Sequence, residues 1–359
     1  MTIKPSYILT LSILIFSFFG CKQEKQIKNT LSENIVFQNK KADIVLSGTL
    51  SLPSKEGAFP AVILISGNGK HNRNEEFGPF KPFLDISNYF TERGIAVLRY
   101  DKRGVGKSTG EYDMASSFDF ADDVHAAIHY LLSRKEINKN QIGLVGHSEG
   151  GLIAPIVASQ SSDVAFIVSL AGPSLSGDKI LLAQQKAIAF AKGKDAPEIE
   201  AAQQLNREAF NLVRLYEDAD TLTQKMTAYI KEISLNDPDK PVDMSYEDYV
   251  NAQVNVVLNP WMINFLRYEP RDYISSIKCP VLALNGAKDL QVLASENLPE
   301  WKNILEKAGN RNVTTEELKN LNHLFQTCET GLPEEYEKLE ESFSEVAMSK
   351  MTNWIKKQL

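Results

Sequence analysis

Gly146-His147-Ser148-Glu149-Gly150 sets a serine between small residues in a G-x-S-x-G run. The apolar stretch Ile142-Gly143-Leu144-Val145 precedes it and Gly151-Leu152-Ile153-Ala154 follows, which reads as a strand, a very tight turn and a helix. Small residues beside Ser148 let the chain turn sharply enough to raise the hydroxyl clear of the sheet. The chemistry this suggests is nucleophilic attack. A serine hydroxyl needs a base to take its proton, and a carboxylate to hold that base in one tautomer. Of the five histidines, His147 lies inside the turn and points elsewhere. His125 and His129 sit four apart in a stretch of helical period from Phe120 to Leu132. With no third ligand nearby, that pair is read as structural rather than zinc-binding. His71 precedes Ser148 in a Gly/Asn-rich loop. His323 follows the strand expected over Val313–Leu318 and is the best base. For the acid, Cys279-Pro280-Val281-Leu282-Ala283-Leu284-Asn285 reads as a strand opened by proline. Gly286-Ala287-Lys288-Asp289 is then the loop at its C-terminal end, where site residues gather in open α/β sheets. In isolation Asp289 reads equally as a turn residue satisfying its own backbone.

The chain order Ser148…Asp289…His323 changes that balance, because it is the order of the α/β hydrolases. From about Ile35 onward the chain resembles a bacterial serine esterase of that superfamily. The resemblance rests on Gly146 to Gly151, Arg99-Tyr100-Asp101-Lys102-Arg103-Gly104-Val105-Gly106-Lys107-Ser108, Pro280 to Asp289 and Leu321-Asn322-His323. It implies a mostly parallel, twisted sheet with helices on both faces, nucleophile Ser148, acid Asp289 and base His323. It also implies an oxyanion hole from two backbone N–H groups. One belongs to Glu149; the other comes from the loop Ser66-Gly67-Asn68-Gly69, at Asn68, where many relatives carry His-Gly in place of Ser66-Gly67. Neither a metal nor an organic cofactor is implied.

Gly104-Val105-Gly106-Lys107-Ser108-Thr109 imitates the end of a phosphate-binding loop. The full motif needs a glycine where Asp101 stands, and a carboxylate there would repel phosphate. The segment is read as a charged loop at the sheet edge. The chain carries 39 basic and 46 acidic side chains, a net charge of −7, which argues against nucleic acid as a partner.

The N-terminus reads as a targeting segment. Lys4 is followed by the uncharged run Tyr7 to Phe19, then Gly20-Cys21 and the polar Lys22-Gln23-Glu24-Lys25-Gln26. That run is shorter than the ~20 residues of a spanning helix, so residues 1–20 are taken as a signal peptide. Gly20-Cys21 resembles a bacterial lipoprotein signal, which implies a lipid on Cys21 and a membrane anchor at the cell envelope. The alternatives are an ordinary signal peptide, giving a secreted or periplasmic protein, or an uncleaved anchor. Cys279 and Cys328 are read as unpaired and structural.

Residues 21–33 are expected to form a polar tether, followed by a hairpin of strands Asn34–Gln38 and Asp43–Leu52. Strands and helices then alternate, the pattern of a parallel sheet covered on both faces. Residues 34–172 and 278–359 form the expected α/β-hydrolase core. Between them, residues 173–277 show long helical stretches without a strand signal, and the resemblance to capped hydrolases implies a helical lid. Trp261 and Phe265, spaced i,i+4, are expected as an apolar wall of the substrate pocket, although one face of that helix reads as ordinary core. The reaction expected is hydrolysis of a small carboxylic ester. A peptidase acting on short peptides by the same chemistry is the alternative, with Glu208 and Asp218 of the lid as candidate anchors. A non-catalytic binding lipoprotein on the same fold is a further one.

Overall fold

The computed structural model describes residues 30–359, apart from residues 236, 238 and 239. The expected signal peptide, Cys21 and most of the expected tether lie outside the described residues.

Strands β1 (Leu31–Asn39) and β2 (Ile44–Leu52) pair as an antiparallel hairpin. Its turn is fastened by Asn39 Oδ1, which accepts the N–H groups of Lys41 and Ala42 at 3.0 and 3.2 Å. The strand begins earlier than the sequence suggests: Leu31, Ser32 and Glu33, assigned to the tether, pair with Leu52, Ser51 and Leu50. Polar side chains there concealed a strand because this edge faces solvent. β3 (Phe59–Ile65), β4 (Ala96–Tyr100), β5 (Ile137–His147), β6 (Phe166–Leu170), β7 (Val281–Gly286) and β8 (Val313–Leu318) complete one eight-stranded sheet of order β1-β2-β4-β3-β5-β6-β7-β8. Every pair from β4 to β8 is parallel, while β2 meets β4 antiparallel.

The central strands are apolar on both faces, as strands buried between two helical layers must be. In β3, Ala61, Ile63 and Ile65 join one core and Val62 and Leu64 the other. Helices α1 (Pro82–Thr91) and α11 (Glu345–Gln358) cover the second face through Phe83, Ile86, Phe90, Met351 and Ile355. Helices α2 (Ser117–Ser133), α3 (Glu149–Gln160) and α10 (Ala294–Lys307) cover the first.

Between β6 and β7 come six helices: α4 (Gly177–Ala191), α5 (Ala196–Leu215), α6 (Ala219–Ile233), α7 (Tyr246–Val257), α8 (Pro260–Arg267) and α9 (Pro270–Ile274). They occupy the stretch that lacks strand signals. Four start on a side-chain cap that accepts a first-turn N–H: Asp195 from Glu198, Asp218 from Thr221, Ser245 from Asp248 and Asn259 from Met262. Their apolar stripes build a small core of their own around Phe210, Val213, Met226, Val250 and Leu266. Phe265, Tyr268 and Ile274 instead enter the main core and root the insertion on the sheet.

Candidate active site

The C-terminal ends of β3, β5, β7 and β8 converge, and each delivers one part of the site. At the end of β5 the chain reverses at Ser148, whose φ of 51° and ψ of −115° lie where side chains are rarely found. Two glycines make the reversal possible. A Cβ on Gly146 would fall 2.1 Å from the Gly150 carbonyl oxygen, and one on Gly150 would fall 2.0 Å from that of Ile65. The G-x-S-x-G spacing is thus a packing requirement of the turn against β3.

Ser148, His323 and Asp289 stand in one chain of hydrogen bonds. His323 Nε2 is 3.0 Å from Ser148 Oγ, and His323 Nδ1 is 2.8 Å from Asp289 Oδ2. A carboxylate can only accept, so Nδ1 carries the proton and Nε2 is left to accept from the serine hydroxyl. Asp289 Oδ1 accepts the N–H groups of Gln291 and Val292 at 2.8 and 3.0 Å, which fixes the carboxylate plane. Asp289 and His323 are both buried. The arrangement can raise the nucleophilicity of a hydroxyl by removing its proton as it attacks.

The loop after β3 supplies the expected second donor. Glu75 Oε1 takes the Gly67 N–H at 2.6 Å, and Tyr112 Oη takes that of Gly69 at 2.8 Å. Between them, the Asn68 N–H has no hydrogen-bond partner among the described residues. Gly67 lies against the nucleophile: its missing Cβ would be 3.2 Å from Ser148 Cβ. Glu149 opens α3, so its N–H precedes the bonded turns of that helix. Both expected oxyanion donors therefore flank Ser148.

A cavity of about 240 Å³ adjoins Ser148 and His323. Its apolar wall is Phe77, Pro82, Leu324 and Phe343, with Gln291 and Tyr336 supplying polar edges. Trp261 and Phe265, expected on this wall, are not there. Their rings stack on each other at 4.9 Å, and the Trp261 indole N–H donates to Glu149 Oε1 at 2.6 Å. A half-buried indole N–H must find an acceptor, and here it is the side chain of Glu149, which does not line the cavity. The residues lining this cavity come from core loops after β3, β5, β7 and β8, and Trp261 and Phe265 of the helical insertion are not among them. Gln326 braces the last of these loops by donating to the carbonyls of Tyr336 and Glu341 at 3.1 and 2.9 Å.

Two residues without a sequence signal complete the site. Glu75, in left-handed backbone at φ 51°, and His147 are buried side by side, Oε1 to Nδ1 at 3.0 Å. His147 Nε2 is 3.0 Å from the backbone oxygen of His323. Both ring nitrogens face pure acceptors, so both carry protons and the ring is an imidazolium. Burial opposes that charge, yet Glu75 outweighs it and holds the His147 pKa above its ordinary 6.5. Burial likewise opposes the Glu75 carboxylate, and His147 outweighs it to hold Glu75 below 4.5. The pair ties the Asn68 loop to the His323 loop. Its raised His147 value stabilises the fold fully below pH 6.5 and loses effect as pH rises through the folded value; its lowered Glu75 value acts above pH 4.5 and fades as pH falls. Glu75→Gln is therefore expected to cost about 3 kcal/mol near pH 5.5, and less near pH 9.5. Urea unfolding at both values checks this, and an equal loss at both would rule out the imidazolium.

Elsewhere, His125 Nε2 lies 3.1 Å from Gln160 Oε1 on the outer surface. No group of three or more His, Cys, Asp or Glu side chains among the described residues is placed to hold a metal. Cys279 and Cys328 are free thiols, and burial pushes each up to about 11. Gly106 abuts Asp101, whose carboxylate grips the Arg73 guanidinium at 2.8 Å, so that loop is a structural clasp.

Comparison with known proteins agrees with this architecture. An esterase of Thermotoga maritima, EstD, is 25% identical over 294 residues, covering 82% of this chain and 61% of its own length. Among solved structures, the α/β hydrolase GrgF of a Penicillium species superposes with a TM-score of 0.54 at 18% identity, covering 91% of this chain and 99% of the other. An esterase of Pyrococcus furiosus gives 0.54 at 15% identity, covering 91% of each chain. At those identities the superpositions establish the fold alone. Residues 61–327, well over half of the 359, match the family model described as serine aminopeptidase S33, a hydrolase family. With this sheet, this elbow and that match, the chain belongs to the S33 family of α/β hydrolases.

Proposed function

We propose that this protein is a serine esterase that transfers the acyl group of a small carboxylic ester to water. The observation that carries the reading is the hydrogen-bonded chain Asp289–His323–Ser148 at 2.8 and 3.0 Å, opening on an apolar cavity. Ser148 Oγ attacks the ester carbonyl while its proton passes to His323 Nε2. The N–H groups of Asn68 and Glu149 receive the charge on the carbonyl oxygen. The tetrahedral species expels the alcohol, which takes the proton from His323, and leaves an acyl-Ser148. Water attacks that ester by the same route and releases the acid.

The family name raises the peptidase alternative, and one observation favours esters over it. A peptide N-terminus needs a free carboxylate in the pocket. Glu75 is the acidic residue lining the cavity, and its Oε1 is committed to Gly67 and His147. Asp218 is occupied as a helix cap and Glu208 accepts from Gln204; neither lines the cavity. A p-nitrophenyl ester series from acetate to decanoate, run beside aminoacyl p-nitroanilides, tests the reading. Turnover of esters with a short-chain optimum is expected, and anilide turnover at equal or greater kcat/KM would reverse the assignment.

We further propose that Cys21 carries a lipid that anchors the enzyme to the bacterial cell envelope, a reading supported by the Gly20-Cys21 junction after an apolar run. The full chain expressed in bacteria should take up labelled palmitate and sediment with membranes. Cys21→Ala should lose both, and unchanged sedimentation would overturn the anchor.

A further inference from the structure

Glu149 and Lys102 form a buried ion pair at 2.9 Å, with side chains 2% and 4% exposed. Burying two charges is costly unless they are paired and hydrogen-bonded, and here both carboxylate oxygens accept and the ammonium donates twice. Glu149 Oε1 accepts from Ser117 Oγ at 2.7 Å and from Trp261 Nε1 at 2.6 Å, while Oε2 accepts from Lys102. The Lys102 ammonium sits 4.3 Å from the centre of the Phe120 ring and donates a second hydrogen bond, at 2.6 Å, to the carbonyl oxygen of Gly67.

That carbonyl belongs to the same peptide group as the Asn68 N–H. In a trans peptide the C=O and N–H point in opposite directions within one rigid plane. A cation fixed on the oxygen therefore aims the N–H away from itself and, by drawing electron density toward the oxygen, strengthens the N–H as a donor. Its carboxylate partner is the side chain of Glu149, whose own N–H is the other donor. One buried pair thus grips both halves of the oxyanion hole, from below the loop and from the first residue of α3.

We propose that Lys102 is a positioning residue of the oxyanion hole, orienting and polarising the Gly67–Asn68 peptide, with Glu149 and Trp261 holding its ammonium in place. Lys102 touches no substrate in this arrangement and acts through the peptide group. The proposal rests on the esterase reading, with Asn68 and Glu149 as the oxyanion donors. Because Trp261 lies on α8, the helical insertion reaches the reaction through this carboxylate rather than through the pocket wall.

The test compares wild type with Lys102→Met/Glu149→Gln, which removes both charges together and leaves no lone carboxylate buried. The readouts are kcat and KM for p-nitrophenyl butyrate, and inhibition by an alkyl trifluoromethyl ketone, whose adduct on serine carries an oxyanion. The expected result is a fall in kcat of about tenfold to a hundredfold, somewhat less than loss of a whole donor. KM should stay within about twofold, and ketone affinity should fall in proportion to kcat. Unchanged kcat, or a rise in KM with ketone affinity intact, would overturn the proposal, because a loosened scaffold gives that pattern and a misaimed donor does not. If the double variant does not fold, Lys102→Arg keeps a cation of different shape on the carbonyl. It should lower kcat and ketone affinity together, and a fall in kcat alone would overturn the proposal. Ser148→Ala is run in parallel: if it hydrolyses the ester at the wild-type rate, the esterase reading fails, whatever Lys102 does.

Discussion

Replacing Ser148 by alanine is expected to lower kcat for p-nitrophenyl butyrate by about 10⁴-fold to 10⁶-fold while leaving the protein folded. The size of the effect follows from the geometry. Ser148 Oγ is the hydroxyl aligned with an imidazole whose other nitrogen is held by a buried carboxylate. Without it, His323 has no proton to take, and water in the cavity is an unpositioned nucleophile. Stability should change little, because the strained backbone at φ 51° is imposed by the packing of Gly146 and Gly150 rather than by the serine hydroxyl. The check is steady-state hydrolysis beside thermal unfolding. A variant that melts like wild type yet retains more than about a hundredth of the activity would remove Ser148 as nucleophile.

Asp289→Asn should be nearly as damaging, at about 10⁴-fold in kcat, for a reason specific to the loop. Oδ1 of Asp289 is fixed by two backbone donors, Gln291 N–H and Val292 N–H. An asparagine must keep its carbonyl oxygen on those two donors, which turns its NH₂ toward His323 Nδ1. The imidazole then accepts at Nδ1 and carries its proton on Nε2, where it faces Ser148 Oγ as a donor. The base is present but in the wrong tautomer. The loss should shrink at high pH, where hydroxide replaces the missing general base. A pH–rate profile of the variant from about pH 6 to pH 10 would show this, and a pH-independent loss would contradict the tautomer argument.

These two variants and the Lys102 variants probe different atoms of one event. In the proposed reaction Ser148 and Asp289 govern where the proton goes, and Lys102 governs where the negative charge goes. Removal of the Glu75–His147 pair should act differently again, through stability near pH 5.5 and the spacing of the two loops that pair joins.

Much of this site was legible in the one-dimensional chain because its parts are local. A strand, a tight turn and a helix leave their mark within ten residues, so Ser148 stands out by the packing needs of Gly146 and Gly150. Asp289 and His323 stand out because each follows a strand, apolar β7 and the more polar β8, at the sheet end where open α/β folds gather their chemistry. The mostly parallel sheet and the run of helices between β6 and β7 follow from the same periodicities, whereas the strand order does not. What the chain alone left open are relations across long separations. Trp261 and Phe265 have the composition of a pocket wall, but the nearest acceptor for the indole N–H drew them to Glu149, 112 residues away. Phe343 and Tyr336 line the cavity instead, because the segment after β8 is held against the end of β5 by the His147 contact to the His323 carbonyl and is braced by Gln326. Glu75 and His147 are 72 residues apart, and Lys102 and Glu149 are 47 apart. Pairing of buried charges is set by desolvation, which only the packed structure defines. The sequence by itself determined the fold and the residues that meet at Ser148; the tertiary structure decided what surrounds them, because partners for buried polar groups are chosen by distance in space and not along the chain.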